Sequence, residues 1–440
     1  MTGAPADDRG PSAPLRIAFA AYRGNMNCGG QGIYLWFLAR ELARQGHSVD
    51  VLVGPPFPAA MPFARSVEEL HDEQFWGKWF FSDRRNLLPR PSPLSVFSPL
   101  HFWELGASRL GFLPEPFAFS VRAFRALAAR LRRGERFDLV HDVQCLGYGL
   151  LGVRALGLPV VTTVHHPLSV DRRASFARDR TLREALGTME FYPVGMQAFV
   201  ARRVDRMITS SDASRRQIER DFRVPTERMR MLGNGLDTEL FSPDPARPRS
   251  ESEILCVGRA SDPNKGVRTL VAALARLPKL RLTLVDDPSP HNAARGWARE
   301  LGCADRLTIA GRVSNDELVD LYRRAMLVVV PSRYEGFGLP AAEAMACGTP
   351  VVASAAGALP EVIEAGGGGM LVPPEDPEAL AKAIATLAEQ PGARAALGAR
   401  APARIDAAYS WRRVAERTAD VYREVVAERR GRPVRTTTSA

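Results

Sequence analysis

Short apolar runs recur along this chain and alternate with longer segments whose apolar positions return every three or four residues. Runs of the first kind suit strands buried on both faces of a parallel sheet, and segments of the second kind suit helices laid over it. Leu15–Ala21 reads as a first strand, Tyr22–Gly32 (YRGNMNCGGQG) as a loop, Ile33–Gln45 as a helix stopped by Gly46, and Val49–Val53 as a second strand. Leu139–Val143, Val160–Val164 and Arg206–Ser210 continue the strands, with helices over Phe117–Arg133, Tyr192–Arg203 and Ser211–Arg223. Beyond a Pro/Ser/Arg-rich stretch the pattern restarts with strands at Ile254–Val257, Leu282–Val285, Leu307–Ala310, Leu327–Val330 and Met370–Val372. Helices are expected at Asn315–Ala325, about Ala341–Ala346, Ala379–Gln390 and about Arg412–Ala427. The strand–helix alternation predicts an α/β fold of two Rossmann-like domains, each with a parallel sheet. The expected division is a tail over 1–14, an N-terminal domain over 15–243, a linker over 244–253, a C-terminal domain over 254–408, a closing helix over 409–427 and a second tail over 428–440.

One segment breaks the pattern. Phe57–Glu115 shows no regular period, yet it carries Phe75, Trp76, Trp79, Phe80, Phe81, Phe97, Phe102, Trp103 and Phe112 among several prolines. A long aromatic insert reads as a lid or acceptor wall, or as a satellite cluster packed on the domain. Just after it, Phe117–Arg133 places Val121, Phe124, Leu127, Ala128 and Leu131 on one side. Arg122, Arg125, Arg130, Arg132 and Arg133 crowd the remainder. Such a helix lies on an anionic bilayer, or packs on a sheet with a solvated arginine face.

Composition narrows the partners. The chain has 440 residues, 45% hydrophobic and 25% charged, with a net charge of +10, ordinary for a globular protein of two or three domains. The excess positive charge suits nucleic acid, an anionic membrane surface or phosphorylated small molecules. Neither zinc-finger spacing nor a basic–aromatic RNA-binding signature is present, which disfavours nucleic acid. No apolar stretch approaches the ~20 residues of a membrane span, and Met1–Pro14 lacks the apolar core of a secretory signal. The five cysteines are scattered and show no metal or disulfide spacing, which fits reduced thiols. A cytoplasmic location is expected, with the inner membrane face as the variant.

The densest chemistry lies in Pro331–Pro360, PSRYEGFGLPAAEAMACGTPVVASAAGALP. Strand Leu327–Val330 runs into Glu335-Gly336-Phe337-Gly338-Leu339-Pro340, and a helix follows. Glycines allow close approach of a ligand, and a helix start directs N–H groups and positive charge at an anion. Glu335 and Glu343 bracket the turn. They accept hydrogen bonds from sugar and ribose hydroxyls, or else only complement the helix dipole. Arg259 and Lys265 follow strand Ile254–Val257 and suit a diphosphate, unless they are merely solvated. His165 follows strand Val160–Val164, where parallel sheets place ligands, and a structural histidine bonded to backbone is the alternative there. Arg172 and Arg173 follow closely and suit an anionic acceptor, or else are only solvated. Gly29-Gly30-Gln31-Gly32 lacks the full G-x-G-x-x-G spacing and has only Asp50 as a nearby acid, a weak signal for NAD.

The run E-G-F-G-L-P-x-x-E-A-M-A-x-G-x-P-V-V over Glu335–Val352 resembles the E-x7-E region of retaining GT-B glycosyltransferases of the glycosyltransferase family 4 type. Thr163-Val164-His165 resembles the family's T-x-H, which singles out His165 over His166. Asn234–Pro243 (NGLDTELFSP) is similar to the turn closing its N-terminal half. The resemblance covers nearly all of Leu15–Ala427. It implies two Rossmann-like domains facing across a cleft and retaining, metal-independent transfer of a sugar from a nucleotide-diphosphate sugar to an acceptor hydroxyl. Glycolipid, polysaccharide and small glycoside acceptors all stay open. It implies donor contacts from Gly30, Arg259, Lys265, Arg312, Val313, Glu335, Gly336, Phe337, Gly338, Leu339 and Glu343. His165, Arg259, Lys265 and Glu335 would be catalytic, and Gly29, Gly30, Gln31, His165 and Arg172 would line the acceptor. No cofactor or metal is expected. Two departures stand out: the Arg259–Lys265 gap is one residue longer than expected, and Asp286-Asp287-Pro288 replaces a glycine turn. An epimerase of the same fold, a non-catalytic nucleotide-binding module and an NAD oxidoreductase are the rivals.

Overall fold

The computed structural model describes residues 13–26, 30–71, 94, 97–109, 112–165, 167–176, 181 and 193–431. They fall into two compact units. The first comprises the chain up to Thr209, Arg215–Leu232 and the chain from Ala415; the second comprises Ser210–Ser214 and Gly233–Val414.

The first unit contains β1 (Arg16–Ala21), α1 (Gly30–Arg44), β2 (Ser48–Val53), β3 (Ser66–Glu69), α2 (Pro99–Arg109), α3 (Glu115–Arg132), β4 (Leu139–Val143), α4 (Gly149–Ala155) and β5 (Val160–Val164). It continues with α5 (Leu168–Phe176), α6 (Val194–Ala201), β6 (Arg206–Thr209), α7 (Asp212–Phe222, entering from the second unit) and β7 (Met229–Met231). Its strands form one parallel sheet in the order β3-β2-β1-β4-β5-β6-β7. β4 and β5 are buried at every position, as a central strand covered on both faces must be.

The second unit contains β8 (Glu253–Val257), α8 (Val267–Ala275), β9 (Arg281–Val285), α9 (Ala293–Glu300), β10 (Leu307–Ile309), α10 (Asn315–Arg324), β11 (Leu327–Val330), α11 (Leu339–Ala346), β12 (Val351–Ser354), α12 (Leu359–Gly366), β13 (Gly369–Val372), α13 (Pro377–Glu389) and α14 (Pro391–Tyr409). Its parallel sheet runs β10-β9-β8-β11-β12-β13. The last helix, α15 (Trp411–Arg429), starts in the second unit and belongs to the first from Ala415 onward. There Tyr422 is fully buried and its hydroxyl bonds Nδ1 of His141 on β4.

Three expectations need correction. The aromatic insert is not irregular throughout, for β3 and α2 lie inside it. β3 (SVEE) has no apolar run, and its strand geometry comes from pairing with β2, Asp50 opposite Ser66. Phe75, Trp76, Trp79, Phe80 and Phe81 lie outside the described residues. The arginine face of α3 is not simply solvated. Arg122 pairs with Glu104, and the buried Arg130 pairs with Asp50 and Glu135. Gly30 and Gln31 are helical rather than looped: α1 begins at Gly30, and Gly32 sits so close to the Asn25 carbonyl that a Cβ would lie 2.2 Å from its oxygen.

Candidate active site

β8 and β11 are neighbours, Leu327 opposite Ile254. From that seam the chain winds outward through β9 and β10 on one side and β12 and β13 on the other. It is the point at which open parallel sheets bind ligands, beyond the carboxyl ends of the strands. The loops after β8 and β11 meet there. Arg333 N–H donates to the Asn264 carbonyl at 2.8 Å. Gly266, at φ +62°, opens α8, and a Cβ there would stand 1.9 Å from the Pro331 oxygen, so the close approach demands glycine.

This docking of loops brings two sequence-predicted residues together. Lys265 Nζ donates to Glu335 Oε1 at 2.7 Å, and Ser332 Oγ donates to the same oxygen at 2.9 Å. Glu335 is 9% exposed, and its carbonyl accepts from Ala358 N–H at 2.9 Å. Gly357 lies so near that a Cβ would stand 2.2 Å from the same carbonyl oxygen. The carboxylate is thus fixed in main chain, side chain and charge. Arg259 lies on the same β8 loop, exposed and without an ion pair among the described residues. The base of the loop is tied down because Asp286 Oδ2 accepts from Ala260 N–H at 2.8 Å and from Asn292 Nδ2 at 2.7 Å. Asp286 therefore brackets two strand ends, a physical reason for an acid where the family resemblance expects a glycine turn.

Gly336, Phe337 and Gly338 carry the chain into α11. Gly338 caps that helix at φ +98° with a Cβ position 2.7 Å from Leu359 Cδ2, and Leu339 is its first residue. The positive end of the α11 dipole thus stands beside the Lys265–Glu335 pair. Glu343 lies one turn further on, partly exposed. Its Oε2 accepts from Tyr322 Oη of α10 at 2.7 Å. Burial pushes the Glu343 carboxyl up from 4.5 to about 7, against the pull of that hydrogen bond. Gly311, at φ +78°, turns the chain after β10; Arg312 is exposed and Val313 half-buried. They sit at the end of an edge strand two strands from β8, so nothing here joins them to the Lys265–Glu335 pair.

In the first unit His165 ends β5. Its N–H donates to Gln144 Oε1 at 3.0 Å, and its ring meets Tyr34 of α1 edge-on at 4.8 Å. Tyr34 Oη and His141 Nε2 both bond Thr163 Oγ1, at 2.9 and 2.8 Å. The ring wall of His165 is therefore continuous with the buried polar chain that reaches Tyr422. Gly30 is exposed with nothing within 4 Å of a Cβ position, and Gln31 Nε2 donates to Tyr22 Oη at 3.0 Å. Arg172 is half-buried on α5; Gly29 and His166 lie outside the described residues. Asp50, the acid that an NAD site would need, is enclosed by Arg16, Arg130 and Ser66. Among the described residues no group of three or more His, Cys, Asp or Glu could hold a metal ion, and no helix is long and apolar enough to cross a membrane.

Sequence reasoning missed Ser332, Tyr322 and Asp286. Ser332 sits three positions before Glu335, a spacing that a turn was free to exploit. Tyr322 and Asp286 act across 21 and 26 positions; Tyr322 left no local signal, and Asp286 showed only as a departure from the expected glycine turn.

Two parallel Rossmann-like sheets, the second with a lysine–carboxylate pair and a glycine-capped helix start at its seam, define a GT-B transferase that works on sugar donors. Comparison with known proteins agrees. Residues 237–404 match the model for group 1 glycosyl transferases and residues 28–240 that for glycosyltransferase family 4. The MMP alpha-(1->4)-mannosyltransferase of Mycolicibacterium hassiacum is 40% identical over 418 residues, 94% of this chain and 99% of that protein. The D-inositol 3-phosphate glycosyltransferase of Kineococcus radiotolerans is 30% identical over 93% of each chain. Sucrose-phosphate synthase of Thermosynechococcus elongatus superposes with a TM-score of 0.68 at 27% identity, covering 94% of this chain and 100% of that one. Anabaena HepE, solved in complex with UDP-glucose, shares the fold at a TM-score of 0.63 and 19% identity, over 92% of this chain and 99% of its own. The chain belongs to the group 1, family 4 glycosyltransferases and is itself a glycosyltransferase.

Proposed function

We propose that this enzyme transfers a mannosyl residue from a nucleotide-diphosphate mannose to an acceptor hydroxyl through an α-(1→4) link, with retention at the anomeric carbon and without a metal ion. The observation that carries the reading is the Lys265–Glu335 contact at the β8–β11 seam, 2.7 Å long. The choice of mannose rests on the 40% identity to the mannosyltransferase.

Departure of the leaving group builds negative charge on the diphosphate and positive charge on the sugar. Arg259, Lys265 and the first turn of α11, with the main chain of Gly336, Phe337, Gly338 and Leu339, would take the diphosphate, and fixed donors of this kind lower the barrier by stabilising developing charge. Lys265 would exchange Glu335 for a phosphate oxygen. Glu335 would then be free to accept from sugar hydroxyls while Ser332 keeps it in place. Glu343 would take the ribose hydroxyls, and Arg312 and Val313 would line the base. In the first unit His165 and Gly30 would meet the sugar, and Gly29, Gln31 and Arg172 the acceptor. Glu335 is held by a cation and a hydroxyl, a poor setting for a covalent nucleophile, so attack on the face of departure is the route that retains configuration. Any contact with an anionic bilayer would fall to Arg125 and Arg132, exposed on α3, and to Arg133 at its C-terminal cap, and flotation with anionic vesicles measures it.

The test is a panel of nucleotide sugars scored first by thermal stabilisation, which grows with ligand over its Kd, then by product. A mannose donor is expected to stabilise most and to give an α-linked product by NMR, at the same rate with a chelator present. An inverted anomer, or loss of rate on chelation, would overturn the mechanism.

A further inference from the structure

The turn after β4 is strained where it meets the end of β5. Gln144 and Leu146, neither of them glycine, stand at φ +58° and +50°. Backbone of this kind persists only where its surroundings over-determine it, and it gathers at functional sites. Here a single carboxyl does much of the holding. Asp142, fully buried on β4, accepts from Leu146 N–H at 3.1 Å and from Thr162 Oγ1 of β5 at 2.7 Å. A carboxyl buried in this way is unfavourable unless it is hydrogen-bonded, and its bonds pin the turn. The turn delivers Gln144, 4% exposed, whose Oε1 accepts the His165 N–H at 3.0 Å. β5 ends at Val164, so a side chain rather than the strand ladder takes the N–H of His165.

The ring of His165 is fixed from another side. Tyr34, in the second turn of α1 and 2% exposed, meets it with ring centroids 4.8 Å apart and planes at 79°. Tyr34 is itself anchored. Its hydroxyl bonds Thr163 Oγ1, which bonds His141 Nε2, and His141 Nδ1 bonds Tyr422 Oη. These four side chains come from α1, β5, β4 and α15, and all are buried. In an interior packed at crystal density such a chain moves only if its neighbours move with it. His165 is half-buried, so the rigid frame ends in an imidazole that reaches the surface of the unit.

We propose that Tyr34 and Gln144 are positioning residues for the transfer: Gln144 sets the main chain of His165, and Tyr34 sets its ring against the sugar. The proposal rests on the reading that His165 meets the transferred sugar. Transfer needs the reacting groups held close to the geometry of attack, and a misplacement of about 1 Å costs roughly a hundredfold in rate. An imidazole at a strand end has several staggered rotamers open to it. The Gln144 bond and the Tyr34 ring narrow that choice before any donor arrives. Neither residue needs to touch the sugar, so neither decides how tightly the donor is held.

The experiment is steady-state turnover of the full chain, with GDP-mannose and UDP-mannose as donors and methyl α-mannoside as acceptor. Released nucleoside diphosphate is scored, so that transfer to water also counts. Tyr34→Leu removes the ring beside His165, Tyr34→Phe keeps it, and Gln144→Met removes the accepting oxygen at equal length. Thermal unfolding reports which variants fold, and Gln144→Met decides the matter if Tyr34→Leu does not. The expected result is a kcat lower by about tenfold to a hundredfold in Tyr34→Leu and Gln144→Met. Donor KM should stay within about threefold, the pattern left by losing an interaction made only in the transition state, and Tyr34→Phe should restore kcat to within about threefold of wild type. In a His165→Ala background neither substitution should slow the enzyme further, because residues that act through one partner are not additive; a merely structural role would lower the rate in both backgrounds. Unchanged kcat in both variants, or an equal loss with and without His165, would overturn the proposal. A His165→Ala enzyme as fast as wild type, or no release from either donor, would instead remove the reading beneath it, and the proposal with it.

Discussion

Replacing Glu343 by Gln should stabilise the protein while weakening its hold on the donor. The carboxyl is pushed from 4.5 to about 7 by burial on α11. Below about pH 4.5 the folded and unfolded states both hold the proton, and the group costs nothing. Between 4.5 and 7 the unfolded chain has released the proton and the folded chain has not, so stability falls as pH rises; above 7 the full penalty persists. At about 1.4 kcal/mol per pH unit the rise corresponds to about 3 kcal/mol, and part exposure of the side chain reduces it to about 1–2 kcal/mol. Glutamine carries no charge to bury and still accepts from Tyr322. The variant should therefore match the wild type near pH 4.5 and gain on it by about 1–2 kcal/mol by pH 8, roughly 2–4 °C in Tm per kcal/mol. Urea or thermal unfolding at both pH values measures this gain. Titration with the nucleotide sugar should show weaker binding in the same variant. A substitution that destabilises at pH 8, or a difference independent of pH, would refute the account of the buried charge. Unaltered donor affinity would remove Glu343 from the donor site.

Further outcomes can be stated briefly. Arg259→Ala should lower turnover about 10²–10³-fold, as loss of a donor to a developing anion does, with stability within about 0.5 kcal/mol because the side chain is exposed; steady-state rates and Tm separate the two. Tyr422→Phe leaves Nδ1 of the buried, neutral His141 without its hydroxyl and should cost about 1–3 kcal/mol in denaturant unfolding. Gly266→Ala must clear the Pro331 oxygen at 1.9 Å and strain a positive φ, whereas Gly30→Ala meets nothing within 4 Å. The first should lower Tm sharply and the second hardly at all, and equal shifts would deny the tight loop its role.

Much of the architecture could be read from apolar runs because parallel strands buried on both faces leave near-continuous signals; β11 (LVVV) is such a case. β3 escaped because SVEE alternates weakly, and only its neighbour β2 makes it a strand. α14 escaped for a different reason. Its alanine-rich face, with Gly398 and Pro402 inside the helix, gives little periodic contrast, and its register is fixed by packing on Gly348. The glycine turn at Gly338 and the cations after β8 were legible as chemistry, since backbone freedom and charge are properties of single residues. That Lys265 touches Glu335, and that Tyr322 holds Glu343, depends on which strands lie side by side, and no local pattern encodes it.

The helix shared by both units has a consequence for how the protein is made. The amino-terminal sheet is synthesised long before the segment that finishes it: His141 waits for Tyr422, and Arg206 and Arg230 wait for Glu424. A nascent chain stalled short of residue 415 therefore leaves buried His141 and the cations Arg206 and Arg230 without the partners they have in the finished fold. That half closes only after the chain has been made as far as Glu424.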